Sequence, residues 1–250
     1  MMLLIDIGNT RIKWARSHEG SFDEQSAAVH RGWTRDDFVT QVLSSTRPDR
    51  VLISNVGGES IANIARESIH ALYGFEPEFV LPTAAAGGVR SGYANPAQLG
   101  VDRWVALIGA RSIESRAVCV VSVGTAMTVD AMDATGQHLG GVIVPGPDLM
   151  VSSLFANTSG IAQRAQQGST RKTLFADNTL GAVRQGSFHA LAALIDRSVT
   201  TLQQQVQAPP ALLVTGGGIE ELRSALALPF REIPDLVLRG LGALAGHSQR

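Results

Sequence analysis

The first residues whose types and spacing could support binding or catalysis form the run DIGNTRIK at positions 6–13. The apolar residues 3–7 predict a buried strand, and the alternation of Ile12 and Trp14 predicts a strand that returns beside it. Gly8 therefore lies in a tight turn between two strands. Because glycine has no Cβ, backbone N–H groups in such a turn can approach an anion closely.

The polar side chains of this run suit a phosphate group. Asn9 and Thr10 add hydrogen-bond donors at the turn, and Lys13 adds a point charge of the kind that binds phosphate. Asp6, at the end of the first strand, could hold a hydrated Mg²⁺ ion, which takes one or two carboxylates together with phosphate oxygens. An ordinary β-hairpin with a Gly-Asn turn would give the same pattern, so the run alone leaves both interpretations open.

A second candidate is Asp102, in the block GYANPAQLGVDRW at positions 92–104. It falls in the first turn of a predicted helix, where the helix dipole stabilises a carboxylate, and position alone favours a helix-start role. Functionally, a carboxylate beside Arg103 suits an alcohol substrate, whose hydroxyl it would orient and finally deprotonate. Arg103 would bind a carboxylate or a phosphoryl group in bidentate fashion.

The pattern of the N-terminus returns halfway along the chain. Residues 4–10 align with residues 120–126, so that Gly124 and Thr125 occupy a second predicted glycine turn between strands. A period of half the chain indicates a duplicated α/β protein. We expect a first domain over residues 1–115 and a second over 116–250, and two such hairpins would form a phosphate clamp.

Two further segments have alternative interpretations. The run TGGG at 215–218 follows an apolar strand and precedes a predicted helix, which is typical either of an anion site or of a tight connection. Residues 177–179, Asp-Asn-Thr, indicate a helix N-cap.

Composition excludes several classes of protein. The 250 residues carry 21 basic and 22 acidic side chains, a net charge of −1 that gives no general attraction for nucleic acid. A single cysteine cannot form an intramolecular disulfide and fits a reducing cytoplasm. No window approaches the ~18 apolar residues of a membrane span. The six histidines show no metal-ligand spacing, so we predict no zinc site.

Taken together, the motifs resemble those of the type III pantothenate kinase family. The resemblance implies the fold of the acetate and sugar kinase, Hsp70 and actin superfamily, with two ribonuclease-H-like domains and a nucleotide cleft between them. It also implies ATP-dependent phosphorylation of pantothenate to 4′-phosphopantothenate, the first step of coenzyme A synthesis, in a cytoplasmic homodimer. The matching blocks are DIGNTRIK at 6–13, GYANPAQLGVDRW at 92–104, VGTAMTVD at 123–130, GGVIVPG at 140–146, DNTLGAVRQG at 177–186 and TGGG at 215–218.

The resemblance also implies a role for individual residues. Asp102 would be the catalytic base on the pantothenate hydroxyl, and Thr179 would contact pantothenate across a homodimer interface. Mg²⁺ would accompany the nucleotide. The ATP-binding residues would be Asp6, Ile7, Gly8, Asn9, Thr10, Arg11, Ile12, Lys13, Gly124 and Thr125, and the pantothenate site would include Tyr93, Gly100, Val101, Asp102 and Arg103.

One position departs from the family pattern. Ser122 stands where the family commonly has an aspartate that helps to bind a monovalent cation, potassium or ammonium. Because a hydroxyl supplies no negative charge, we expect the protein either to need a higher potassium concentration or not to depend on potassium. The change also raises the possibility that catalysis is impaired. Two alternatives therefore stay open: a non-catalytic regulatory protein with this fold, and a kinase of another small alcohol or sugar acid.

Overall fold

The computed structural model describes residues 1–18, 21–43, 46–165 and 173–247. They form two compact units. The first contains Met1–Ser115, Gly136–His138 and the C-terminal segment from Asp235, and the second contains Arg116–Thr135 and Leu139–Pro234. In the described ranges, no helix is both long and apolar enough to cross a membrane.

Strands and helices alternate along the chain as predicted for an α/β protein. In the described residues the strands are β1 (Met2–Ile7), β2 (Arg11–His18), β3 (Ser21–Phe22), β4 (Ser26–Val29), β5 (Arg50–Asn55), β6 (Glu78–Phe79), β7 (Ala85–Ala86), β8 (Val89–Arg90), β9 (Val118–Val123), β10 (Ala126–Met132), β11 (His138–Pro145), β12 (Ala211–Thr215) and β13 (Arg231–Glu232). The helices are α1 (Arg35–Phe38), α2 (Glu59–Tyr73), α3 (Val101–Ile113), α4 (Pro147–Asn157), α5 (Ser159–Arg164), α6 (Thr179–Val206), α7 (Ile219–Leu222) and α8 (Leu236–His247), with a π-helical segment at Val39–Leu43 and a 3₁₀ turn at Pro96–Gln98.

The two large sheets repeat one strand order. The first is β3-β2-β1-β5-β6, with β4 paired to β2, and the second is β11-β10-β9-β12-β13. In each, the opening strand makes an antiparallel hairpin with the next strand and pairs in parallel with a later one: β1 with β5, and β9 with β12. This repetition confirms the predicted duplication of a ribonuclease-H-like α/β unit.

Each sheet buries a separate apolar core. On β1, Leu3, Ile5 and Ile7 are fully buried and pack with Ile61 and Ile69 of α2. Because side chains alternate along a strand, Leu4 and Asp6 belong to the opposite face of β1. In the second unit, apolar residues of β9, β10 and β12 pack against α6.

The final helix belongs to the first unit, whereas our division at residue 115 placed it in the second. Helix α8 packs on α3, and glycines make this close approach possible. A Cβ on Gly240 would overlap the Val105 carbonyl oxygen, and one on Gly109 would overlap the carbonyl oxygen of Leu236. The strand repeat carries no signal for a helix that returns to the first unit.

We predict that Gly240→Ala lowers the free energy of unfolding by about 2–3 kcal/mol, because the added methyl group overpacks the α3–α8 contact. Gly246→Ala is the matched control in the same helix, since a Cβ there has nothing within 4 Å. Alanine at that position should be neutral or stabilising by up to about 1 kcal/mol. Urea denaturation of the three proteins measures the difference, and equal stabilities of the two variants would contradict the prediction.

Candidate functional site

Residues 6–13 form the predicted tight hairpin. Asp6 and Lys13 are register partners on β1 and β2, and the Gly8 N–H donates to the Arg11 carbonyl at 2.9 Å. A Cβ on Gly8 would lie 3.1 Å from that carbonyl oxygen, a tight contact that glycine avoids. Asn9 and Thr10 are exposed at its tip. The hairpin therefore presents the polar residues that suit a phosphate group.

The turn is supported from outside the hairpin. The Gly57 N–H donates to the Ile7 carbonyl at 3.1 Å, and a Cβ on Gly57 would stand only 2.7 Å from the Gly8 oxygen. The same Gly8 oxygen accepts a hydrogen bond of 2.8 Å from Nε2 of His30. Because a carbonyl only accepts, Nε2 carries the proton.

Asp6 lies in a strongly perturbed electrostatic environment. Burial raises the pKa of Asp6 to about 6, the positive charge of Lys13 acts in the opposite direction, and the nearby Asp102 carboxylate raises the pKa further. Burial also lowers the pKa of Lys13, while Asp6 opposes that shift. The structure thus brings Asp6, Lys13 and Asp102, all predicted site residues, into one electrostatic group.

Asp6 has a free acceptor suited to a cation. Its Oδ1 is buried and has no hydrogen-bond partner in the part of the chain that the structure describes. Ser54, its register partner on β5, is fully buried and contributes a neutral hydroxyl beside it. A buried carboxylate oxygen without a protein donor fits a hydrated Mg²⁺ ion that brings its other ligands with it. In the described ranges, no group of three or more His, Cys, Asp or Glu residues could hold a metal by itself.

Asp102 occupies the first turn of α3, as predicted. Helix α3 starts after Gly100, whose carbonyl accepts from the Trp104 N–H at 2.9 Å. A Cβ on Gly100 would lie 2.7 Å from Asp102 Oδ1, so only glycine leaves that carboxylate in place. The preceding turn is held by Asn95, whose side chain accepts from the Ala97 N–H at 3.1 Å.

Arg103 is buried and is fixed by an aromatic pair. Its Nη1 donates to the Tyr93 hydroxyl at 3.0 Å, and its guanidinium lies 5.7 Å from the centroid of the Tyr93 ring. The Tyr93 ring in turn stacks on His138, with centroids 5.8 Å apart and planes 15° from parallel. Our sequence analysis named Tyr93 and Arg103 but missed His138, which groups with the first unit.

In the second unit, Gly124 and Thr125 lie at the tip of the β9–β10 hairpin. The Gly124 N–H donates to the Ala126 carbonyl at 3.0 Å, and the Thr125 carbonyl accepts from the Gly146 N–H at 2.9 Å. In this hairpin the turn between the paired residues Val123 and Met127 has three residues, whereas the turn between the paired residues Ile7 and Ile12 of the first hairpin has four. The two hairpins are therefore similar up to the glycine and differ by one residue in the turn.

Ser122 occupies the position of Asp6 in this second hairpin. Its register partners are Thr128 on β10 and Thr215 on β12, where Asp6 has Lys13 and Ser54. The second hairpin thus places only neutral hydroxyl groups at these three register positions.

The glycines that follow β12 have a packing function. Gly216 has a φ of 100°, and a Cβ there would overlap the Val123 carbonyl oxygen. The Gly218 N–H donates to the same oxygen at 3.1 Å. Helix α7 has only four residues, so its dipole is small. These contacts favour the tight connection over the anion site for residues 215–218.

Thr179 is the first residue of α6, directly after the predicted cap. The Asn178 side chain accepts from the Gly181 N–H at 2.9 Å and thereby caps the helix. Helix α6 spans 28 residues.

Several known proteins are similar to this chain in sequence or in fold. A family model described as type III pantothenate kinase matches residues 2–201. Curated type III pantothenate kinases of Nitrosococcus oceani and Aromatoleum aromaticum are 34% and 38% identical to it, over 98% of this chain and 94% and 98% of their own. Its fold is similar to a solved Baf family structure from Campylobacter jejuni, with a TM-score of 0.61 and 22% identity over 99% of this chain and 98% of the other.

The perturbed carboxylate gives a pH prediction for the unliganded protein. The pKa of Asp6 is about 6 in the folded protein and 3.8 in the unfolded chain, so the unfolded chain loses this proton at lower pH. The free energy of unfolding therefore falls as the pH rises from 3.8 to about 6. Asp6→Asn removes this effect. Its free energy of unfolding relative to the unsubstituted protein should rise from pH 4 to pH 7, by on the order of 2–3 kcal/mol.

Asp37→Asn provides a control of opposite sign. Hydrogen bonds from the Thr34 backbone N–H and hydroxyl lower the pKa of Asp37, so its removal should destabilise the protein increasingly as the pH rises through the acid range. Urea denaturation across this pH range measures both variants. A pH-independent difference for Asp6→Asn would contradict the electrostatic description.

Proposed function

Because the chain belongs to the type III pantothenate kinase family, we propose that it transfers the γ-phosphoryl group of ATP to pantothenate and so produces 4′-phosphopantothenate for coenzyme A synthesis. The observation that carries the proposal is the electrostatic group of Asp6, Lys13 and Asp102 in a chain with this family match. These are the charges that phosphoryl transfer to an alcohol requires.

Asp102 acts as the base in this proposal. Phosphoryl transfer has a loose transition state, so the carboxylate mainly orients the pantothenate hydroxyl and takes its proton as the new O–P bond forms. Its place in the first turn of α3 favours the ionised form through the helix dipole. Arg103, held by Tyr93, supplies positive charge beside it.

The glycine hairpins provide the ATP contacts. Residues 6–13 offer turn N–H groups, the Asn9 and Thr10 side chains and the Lys13 charge, and Gly124 and Thr125 offer a second set of donors. Asp6 would hold the Mg²⁺ ion that accompanies ATP, and the bound ion neutralises phosphate charge. Lys13 stays beside Asp6 and limits the repulsion between that carboxylate and the phosphates.

Pantothenate contacts complete the proposal. We assign them to Tyr93, to residues 100–103 and to Thr179, with Thr179 acting across the interface of a homodimer. The exposed apolar side chains of the second unit support an interface there: Leu139, Val142, Ile143, Leu149 and Leu154 are all more than a third exposed. A cytoplasmic location follows from the role in coenzyme A synthesis.

Ser122 determines the cation requirement in this proposal. Its register neighbours Thr128 and Thr215 are hydroxyl residues, so the position gives a hard monovalent cation no carboxylate ligand. A site without that negative charge should bind potassium or ammonium weakly.

The first test is ADP release by the purified protein with ATP and Mg²⁺, with and without pantothenate, across a potassium series. We expect pantothenate-dependent release that needs high potassium or is indifferent to it. Tight and absolute potassium dependence would contradict the role given to Ser122. If folded protein that binds ATP releases no ADP at any potassium concentration, the regulatory alternative is favoured. If another small alcohol or sugar acid is phosphorylated faster than pantothenate when the two compete, that compound replaces pantothenate as the proposed substrate.

We predict that Asp102→Asn abolishes pantothenate phosphorylation while ATP affinity is largely retained, because the amide keeps the shape of the side chain but cannot accept the proton. Asp36→Asn is the matched control, since Asp36 lies in the first turn of α1 on the exposed surface of the same unit. Steady-state kinetics and calorimetric ATP titrations measure the effect. Joint loss of turnover and ATP binding in Asp102→Asn alone would show that Asp102 is chiefly structural.

A further inference from the structure

His30 binds both sides of the first glycine turn. Its ring Nε2 donates to the Gly8 carbonyl at 2.8 Å, and its backbone N–H donates to the Thr10 carbonyl at 3.2 Å. The two carbonyls flank Asn9, the exposed residue at the tip. One residue, 22 positions away from Gly8, thus fixes the turn through its side chain and its main chain.

The imidazole is held rigidly for this purpose. His30 is only 9% exposed, and the Trp33 ring meets it edge-on with centroids 6.4 Å apart. The backbone N–H of Trp33 donates to the His30 carbonyl at 3.1 Å, and the Trp33 ring packs in turn on the fully buried Phe38. The ring nitrogen therefore has little freedom to leave the Gly8 oxygen.

The bond to Gly8 also determines where the next N–H group points. A trans peptide is planar, and its C=O and N–H groups point in opposite directions. When the Gly8 oxygen is directed at His30, the N–H of Asn9 must therefore face away from His30. The Gly57 backbone packs closely against the same peptide, because a Cβ on Gly57 would stand 2.7 Å from the Gly8 oxygen.

We propose that His30 is a positioning residue for ATP: it fixes the Gly8–Asn9 peptide so that the Asn9 N–H is presented to a phosphate oxygen. This rests on the proposed function of residues 6–13 as a phosphate hairpin. A preorganised donor binds a phosphate without first paying for reorientation of its peptide. His30 touches the hairpin backbone and acts only through it.

The test uses two substitutions that separate the hydrogen bond from the packing. His30→Leu keeps apolar bulk beside Trp33 but removes the donor, and His30→Gln keeps an N–H donor at a similar distance from the backbone. His70→Leu is the control, because His70 is exposed and pairs with Glu76 on the surface. The readouts are KM for ATP, KM for pantothenate, kcat, the Kd of a non-hydrolysable ATP analogue with Mg²⁺, and the thermal midpoint.

We expect His30→Leu to raise the ATP KM and the analogue Kd about 3- to 10-fold, the range expected for one lost hydrogen bond, while the pantothenate KM changes less than about 2-fold. His30→Gln should recover most of the ATP affinity, and His70→Leu should match the unsubstituted protein. A purely structural role would lower the thermal midpoint without this selective loss and without rescue by glutamine.

Three results would overturn the proposal: unchanged analogue affinity in His30→Leu, equal losses for both substrates, or no recovery in His30→Gln. The analogue Kd keeps this test separate from the proposed reaction. If the unsubstituted protein binds the analogue but does not phosphorylate pantothenate, the proposed function fails and His30 is still judged by the Kd. If the unsubstituted protein does not bind the analogue, both proposals fail.

Discussion

The burial of one carboxylate at the end of a strand is the constraint on which the candidate site depends. Asp6 loses hydration there, which raises its pKa to about 6, and Lys13 from the next strand compensates only in part. Burial is unfavourable for Lys13 as well, since it lowers the pKa of the ammonium group. A buried acid and a buried base whose pKa values both move towards the neutral form are a pattern that clusters at functional sites.

Close backbone approach is the second general feature, and glycine makes it possible at each point. Gly57 lets the chain after β5 approach the Gly8 turn, and Gly216 does the same for the end of β9. Gly240 brings α8 against α3, the helix whose first turn carries Asp102. The charged residues are therefore positioned by backbone that packs without intervening side chains, which limits how far the hairpins and the helix start can move.

Local patterns predicted the elements that carry the chemistry. Both glycine hairpins, the start of α3 before Asp102 and the cap at Asn178 are confirmed, because strand alternation and capping residues act over a few positions. Contacts between residues far apart in the sequence were missed. The bond from His30 to Gly8 spans 22 residues and the stack of His138 on Tyr93 spans 45, and no periodicity reports a contact of that range. The same reason explains the placement of α8, which returns to α3 through packing that lacks a local signature.

The two hairpins show that one scaffold can hold different chemistry. Both begin with a buried strand that pairs in parallel with a later one, yet the register positions occupied by Asp6 and Lys13 in the first unit hold Ser122 and Thr128 in the second. The strand pairing depends on backbone hydrogen bonds and apolar burial, neither of which specifies the polar side chain at the strand end. A duplicated fold therefore leaves these positions free to differ. At these register positions the first hairpin carries charges suited to a cation and a phosphate, whereas the second carries only hydroxyl groups.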